Sequence, residues 1–171
     1  FELCRNSEFR LYISVVTIAT VWIMSLLITT RGYEFEQAFR SALFQVVSFI
    51  TTTGLFNDDA GQWPHITWVV LGCCMFIGAC AGSTSGGFKC IRGVMILKVI
   101  RNEFRRVLHP NAVLPVKING QMVPQSKLPS LLSFLAVFVL MTLVSATIMI
   151  SVGVDNTNAI TIALSCVSNV G

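Results

Sequence analysis

The sequence predicts an all-α membrane protein made of repeated modules. Each module has a first spanning helix (M1), a half-spanning helix, a short polar loop and a second span (M2) carrying a glycine-rich break. Three observations carry this. Hydrophobic residues make up 54% of the 171 residues and charged residues only 12%, which is membrane-class composition. Long charge-free runs occur at Leu11–Thr30 and Leu128–Val154. After each run comes the same pattern, an apolar segment too short to cross a bilayer that ends in a small polar tetrad closed by glycine.

Leu11–Thr30 has the length needed to cross about 30 Å of hydrocarbon, and Arg31-Gly32 ends it. It begins after Arg10 and is longer than the apolar core of a signal peptide. Phe35–Phe49 is helical in pattern, with charges only at Glu36 and Arg40, and reads as a half-helix that enters and stops. Its C-terminal dipole would point toward Thr51 and a cation. A turn-rich stretch follows, with Asp58 and Asp59 at its centre. Those carboxylates read either as an outer mouth that concentrates cations or as a solvated turn. From Ala60 to Phe88 no residue carries a formal charge if His65 is neutral, and Trp63 and Trp68 suit an interfacial belt. Gly78, Gly82, Gly86 and Gly87 are dense enough to break this second span. Ile91–Leu108 resumes as a basic amphipathic helix. Residues 109–127 hold Pro110, Pro115, Pro124 and Asn119-Gly120, and read as a cytoplasmic linker or hairpin.

Residues 1–108 therefore form one module, 109–127 a linker, and 128–171 the first span, half-helix and tetrad of the next. Gly54 and Gly171 lie 117 residues apart. At that offset FRSALFQVVSFITTTG lies over NTNAITIALSCVSNVG, with Ala42 on Ala159, Leu43 on Ile160 and Ser48 on Ser165. The chain opens without Met and closes inside a motif, so an internal piece of a larger protein is expected.

Ten of the twelve Lys and Arg fall in Arg5–Arg10 and Lys89–Lys127, whereas five of the eight acids (Glu34, Glu36, Asp58, Asp59 and Asp155) fall in the segments between and after them. The positive-inside rule puts the basic segments in the cytoplasm and explains them without nucleic acid. The six cysteines form no CxxC pair and the two histidines are isolated. They read as small buried hydrophobes rather than a disulfide or zinc framework.

The tetrads are Thr51, Thr52, Thr53, Gly54 and Ser168, Asn169, Val170, Gly171. Non-helical backbone at membrane depth survives only where it lines a cavity or is buried in protein. Rings of carbonyls there can replace an ion's hydration shell, so the repeated tetrad reads as strands of a cation filter rather than as an ordinary glycine turn. Gly82, Ser83, Thr84, Ser85, Gly86 and Gly87 invite several readings. A phosphate loop fails because Phe88 stands where Lys is required. A nucleophile elbow fails because Ser83 and Ser85 are out of register, although an intramembrane serine enzyme stays a rival. A helix-packing face and a flexible gate in a water-filled path are the remaining two. Lys89 reads as a boundary residue that snorkels, with a latch on the gate as the lesser alternative.

SFITTTG, the Asp59-to-Trp63-Pro64 spacing, GACAGSTSGGFKCIR and the terminal SNVG together resemble the Trk/Ktr/HKT superfamily of potassium transporters. The resemblance covers the whole chain and implies M1–pore helix–filter–M2 repeats, four per subunit, with this chain as the third and the start of the fourth. It implies K⁺ as substrate and no organic cofactor, filter carbonyls at Thr51–Gly54 and Ser168–Gly171, and an intramembrane gate at Gly82–Gly87. It further implies a homodimer in the cell inner membrane and a cytosolic, nucleotide-binding TrkA-like regulatory ring. A two-span tetrameric potassium channel is the nearest alternative. Two covalently linked modules with different tetrads disfavour it.

Overall fold

A computed structural model describes residues 6–57, 63–108, 117–118, 121–124 and 127–171. Helices dominate, in the order α1 (Ser7–Arg31), α2 (Phe35–Ile50), α3 (His65–Ile77), α4 (Cys90–Leu108), α5 (Lys127–Ser151) and α6 (Asn156–Ser168). A two-stranded antiparallel hairpin, β1 (Lys117–Ile118) and β2 (Gln121–Met122), lies between α4 and α5. The hairpin adds two short strands to an expected all-α chain. The Asn119-Gly120 turn expected to close it lies outside the described residues, as do Asp58 and Asp59.

α1 and α5 each have 25 residues and are long and apolar enough to cross a membrane. α1 starts four residues before the apolar run. The Asn6 side chain accepts the Glu8 N–H at 2.9 Å, and this cap draws Ser7–Arg10 into the helix. Gly32 ends it in a left-handed conformation, its N–H bonded to the Ile28 carbonyl. Hydroxyls on the spans turn back to their own helix. Thr17 Oγ1 donates to the Ile13 carbonyl, Thr30 to Leu26 and Thr142 to Phe138. Such back-bonding satisfies a polar group that lipid could not. Many large apolar side chains point outward, among them Ile18, Val21 and Trp22 on α1 and Leu140, Leu143 and Ile148 on α5. Water would penalise that surface and hydrocarbon would not.

α1 packs along α2, and α5 along α6. α3 joins the two pairs through contacts with both α2 and α6. The core gathers Ile23 and Leu27 of α1, Ala38, Ala42, Val46 and Phe49 of α2, and Leu71, Cys74 and Met75 of α3. Ala38, Ala42 and Val46 recur every fourth residue and form one buried stripe along α2.

Trp63 is not part of a belt. It is 4% exposed and belongs to this core. The cysteines also divide. Cys74 and Cys90 are buried, whereas Cys73 and Cys166 are exposed on outward faces.

Candidate functional site

α2 and α6 end in the same way, atom for atom. Thr53 N–H bonds to the Ser48 carbonyl at 2.9 Å and Thr52 N–H to the Phe49 carbonyl at 3.2 Å. At the 117-residue offset, Val170 N–H bonds to the Ser165 carbonyl at 3.0 Å and Asn169 N–H to the Cys166 carbonyl at 3.1 Å. Both are Schellman closures, which need a left-handed residue one place after the cap. Thr52 (φ 56°) and Asn169 (φ 58°) take that role. Asn tolerates it, but a β-branched Thr there is an outlier. The first two residues of each tetrad are thus the helix terminus, not extended chain. Sequence reading placed the polar loop correctly but missed this, because hydroxyl-rich, glycine-closed composition does not distinguish a Schellman end from a strand.

The closure uses backbone N–H groups and turns the following carbonyls away from the helix. Among the described residues, no hydrogen bond ends on the carbonyls of Thr52, Thr53, Gly54, Ser168, Asn169 or Val170. Side-chain hydroxyls brace the turn from behind. Ser48 Oγ donates to the Leu55 carbonyl at 2.7 Å, and its counterpart Ser165 Oγ donates to the Gly171 carbonyl at 2.8 Å. Thr51 Oγ1 donates to the Val47 carbonyl at 2.7 Å and lies 2.9 Å from Thr53 Oγ1.

The two tetrads lie side by side. Gly54 has φ 72°, and a Cβ built there would overlap the Val170 carbonyl oxygen. Glycine is required twice over, by conformation and by the approach of a second backbone.

Between α3 and α4 the chain is non-helical from Gly78 to Lys89. The base of this loop is closed by Phe88 N–H on the Phe76 carbonyl (2.9 Å), Cys90 N–H on the Ala79 carbonyl (3.1 Å) and Cys90 Sγ on the Gly78 carbonyl (3.2 Å). The rings of Phe76 and Phe88 stack with centroids 5.6 Å apart, and Phe138 of α5 meets Phe76 edge-on. Arg92 adds a guanidinium 3.8 Å above the Phe134 ring. The loop then reaches both tetrads. Gly86 N–H donates to Thr52 Oγ1 at 3.0 Å, and a Cβ on Gly86 would overlap the Ser168 carbonyl oxygen. Ser168 Oγ is itself buried without a hydrogen-bond partner among the described residues.

The loop hydroxyls serve the loop. Ser83 Oγ donates to the Cys80 carbonyl at 2.8 Å and sits 2.7 Å from Ser85 Oγ, which accepts the Ala79 N–H. Neither meets an imidazole among the described residues. Of the sequence-predicted residues, the structure brings together Thr52, Gly54, Ser168, Val170 and Gly86. Gly82 and Thr84 stay at the exposed tip. Two further contributors, Glu8 and Lys89, stand outside the predicted filter and gate residues. Glu8, on the first turn of α1, accepts the Ala81 N–H at 2.5 Å across 73 residues of chain. Lys89 (φ 73°) turns its Nζ back to the Ser83 carbonyl at 3.2 Å and the Ala81 carbonyl at 3.5 Å. The non-glycine residues with positive φ among the described residues are Thr52, Lys89 and Asn169, and all three are here.

Two helix ends whose carbonyls have no hydrogen-bond partner among the described residues, met by a strained loop, lie in an apolar helical bundle with two helices long enough to cross a membrane. The chain belongs to the TrkH family of cation transport proteins, whose model matches residues 3–171. It is 34% identical over 168 residues to the Trk system potassium uptake protein TrkH of Escherichia coli (strain K12), covering 98% of this chain and 35% of that protein. It is 34% identical over 157 residues to TrkH of Halomonas elongata, covering 92% of this chain and 31% of the relative. The crystal structure of the potassium transporter TrkH from Vibrio parahaemolyticus superposes with a TM-score of 0.89 at 32% identity, over 98% of this chain and 36% of that one. The chain spans about a third of the length of the curated relatives it matches.

Proposed function

We propose that this chain is part of a potassium uptake protein and contributes two strands of its selectivity filter and the gate beneath them. The carbonyls at Thr51–Gly54 and Ser168–Gly171 replace water around K⁺, and the loop at Gly82–Gly87 opens and closes the path below. Residues 1–108 are then one M1–pore helix–M2 repeat, the third of four, and 128–171 begin the fourth, with 109–127 as a cytoplasmic linker. Asp58 and Asp59 form the outer mouth. The full subunit is a multi-pass protein of the cell inner membrane, forms a homodimer and answers to a TrkA-like cytosolic ring.

One observation carries the reading. The glycine-rich loop touches both tetrads at once, through Gly86 on Thr52 and on the Ser168 carbonyl. A helix-packing face would have no reason to end beneath two glycine-closed helix termini. Carbonyls held by the Schellman closures need no reorganisation to receive an ion, and a loop in contact with them can obstruct it.

The test is Gly54→Ser in the full-length protein. A side chain at φ 72° strains the backbone by about 1–2 kcal/mol and pushes on the Val170 carbonyl. Growth of an uptake-deficient host at low K⁺ should fail, and discrimination against Na⁺ should fall, while the protein still folds. Unchanged growth and unchanged discrimination would remove Gly54 from the filter.

A further inference from the structure

We infer that Glu8 and Lys89 are positioning residues that hold the tip of the glycine-rich loop, and that α1 thereby sets where the loop sits. This rests on the reading of the loop as a gate.

The loop has two parts of different character. Its base is dry and stapled by the Phe76–Phe88 stack and three hydrogen bonds between its two limbs. Its tip is different. Ala81, Gly82 and Thr84 are exposed, and a Cβ on Gly82 would meet nothing within 4 Å. Apolar packing does not hold the tip; beyond the loop's own Ser83–Cys80 hydrogen bonds, two charges do. The Glu8 carboxylate takes the Ala81 N–H, and the Lys89 ammonium takes the carbonyls of Ala81 and Ser83. Hydrogen bonds with an ionised partner are roughly twice as strong as neutral ones. Opposite charges therefore grip the backbone on both sides of Ala81.

Lys89 gives a second, independent indication. It sits at φ 73°, a conformation that L-residues avoid. Backbone strain of this kind persists where the surroundings over-determine it. Here the positive φ brings the start of α4 round so that the side chain reaches back over the loop rather than out along the helix. Glu8 lies on a different element, capped by Asn6 at the entrance of α1. A displacement of the α1 N-terminus, or loss of its carboxylate, would release the tip while the base stays closed.

The experiment uses the full-length protein with Glu8→Ala, Glu8→Gln and Lys89→Met. Native Cys80, half-buried at the tip, is the reporter. Its labelling by a maleimide is followed by peptide mass on folded protein, and Rb⁺ flux is measured in proteoliposomes. Glu8→Ala and Lys89→Met should each raise the Cys80 labelling rate about tenfold, the effect of losing a charge-assisted hydrogen bond. Glu8→Gln keeps an acceptor oxygen and should raise it only about threefold. Basal flux should rise in the same order. Unchanged Cys80 labelling in the folded variants overturns the clamp, whatever the flux does. Faster labelling of Lys89→Met, whose lost positive charge does not make the Cys80 thiol more acidic as loss of Glu8 does, with unchanged flux supports the clamp and removes the gate. If Glu8→Ala does not fold, Glu8→Gln and Lys89→Met decide on the same labelling criterion.

Discussion

Gly86→Ala is the sharpest perturbation of the loop, and Gly82→Ala is its control. Gly86 does not have a positive φ, so alanine is acceptable to the backbone and would even lower the entropy of the unfolded chain, by about 0.4–1 kcal/mol of stabilisation. The whole penalty is local. The added methyl overlaps the Ser168 carbonyl oxygen and would lie 2.8 Å from its carbon and 3.0 Å from Asn169 Cβ. Neither neighbour is the free end of a flexible side chain, so the loop must withdraw from the tetrad. Overpacking of this size costs about 1–3 kcal/mol in the arrangement where the surfaces touch. An arrangement with the loop withdrawn bears none of it. The ratio of withdrawn to touching loop should then rise about 5- to 150-fold, at 1.4 kcal/mol per tenfold. Rb⁺ flux into proteoliposomes, measured without any cytosolic partner, should increase by up to that factor until the withdrawn state dominates. Gly82→Ala meets open space and should leave flux within twofold of wild type. Equal flux from the two variants, with melting temperatures showing both folded, would refute the claim that loop contact with the second tetrad obstructs the path.

Other outcomes follow from the same geometry. Thr52→Val keeps the shape but removes the acceptor for Gly86 N–H, and should weaken loop contact by about 0.5–1.5 kcal/mol, seen as a flux increase of up to about tenfold. Phe88→Ala empties a site that is 3% exposed and breaks the aromatic staple; it should lower stability by about 3–5 kcal/mol in a thermal or denaturant melt, with loss of folded protein rather than gain of flux. Ser165→Ala loses the brace on the Gly171 carbonyl at a cost of about 0.5–1.5 kcal/mol and should reduce K⁺ over Na⁺ discrimination more than it lowers the melting temperature.

Much of this protein is local and was therefore legible in the chain. The spans follow from unbroken apolar runs, because lipid admits backbone only as helix or closed sheet. α2 and α6 follow from their length, and the break after Ile77 from the density of glycine. The 117-residue repeat was visible as matched side chains. The structure shows that the same offset also governs two hydrogen bonds and a left-handed residue at each helix end. Composition could not supply the rest. That Gly54 faces Val170, and that Gly86 touches both Thr52 and Ser168, depends on how α3 bridges α2 and α6. Trp63 reads as an interfacial residue by type and is buried in the core by tertiary packing. Glu8 looks like one more charge at a helix start until folding carries Ala81 to it. Local propensity and hydropathy act over a turn or a span, so a sequence displays them directly. Contacts between backbones far apart in the chain are decided by packing, and only the tertiary structure reveals which glycine meets which carbonyl.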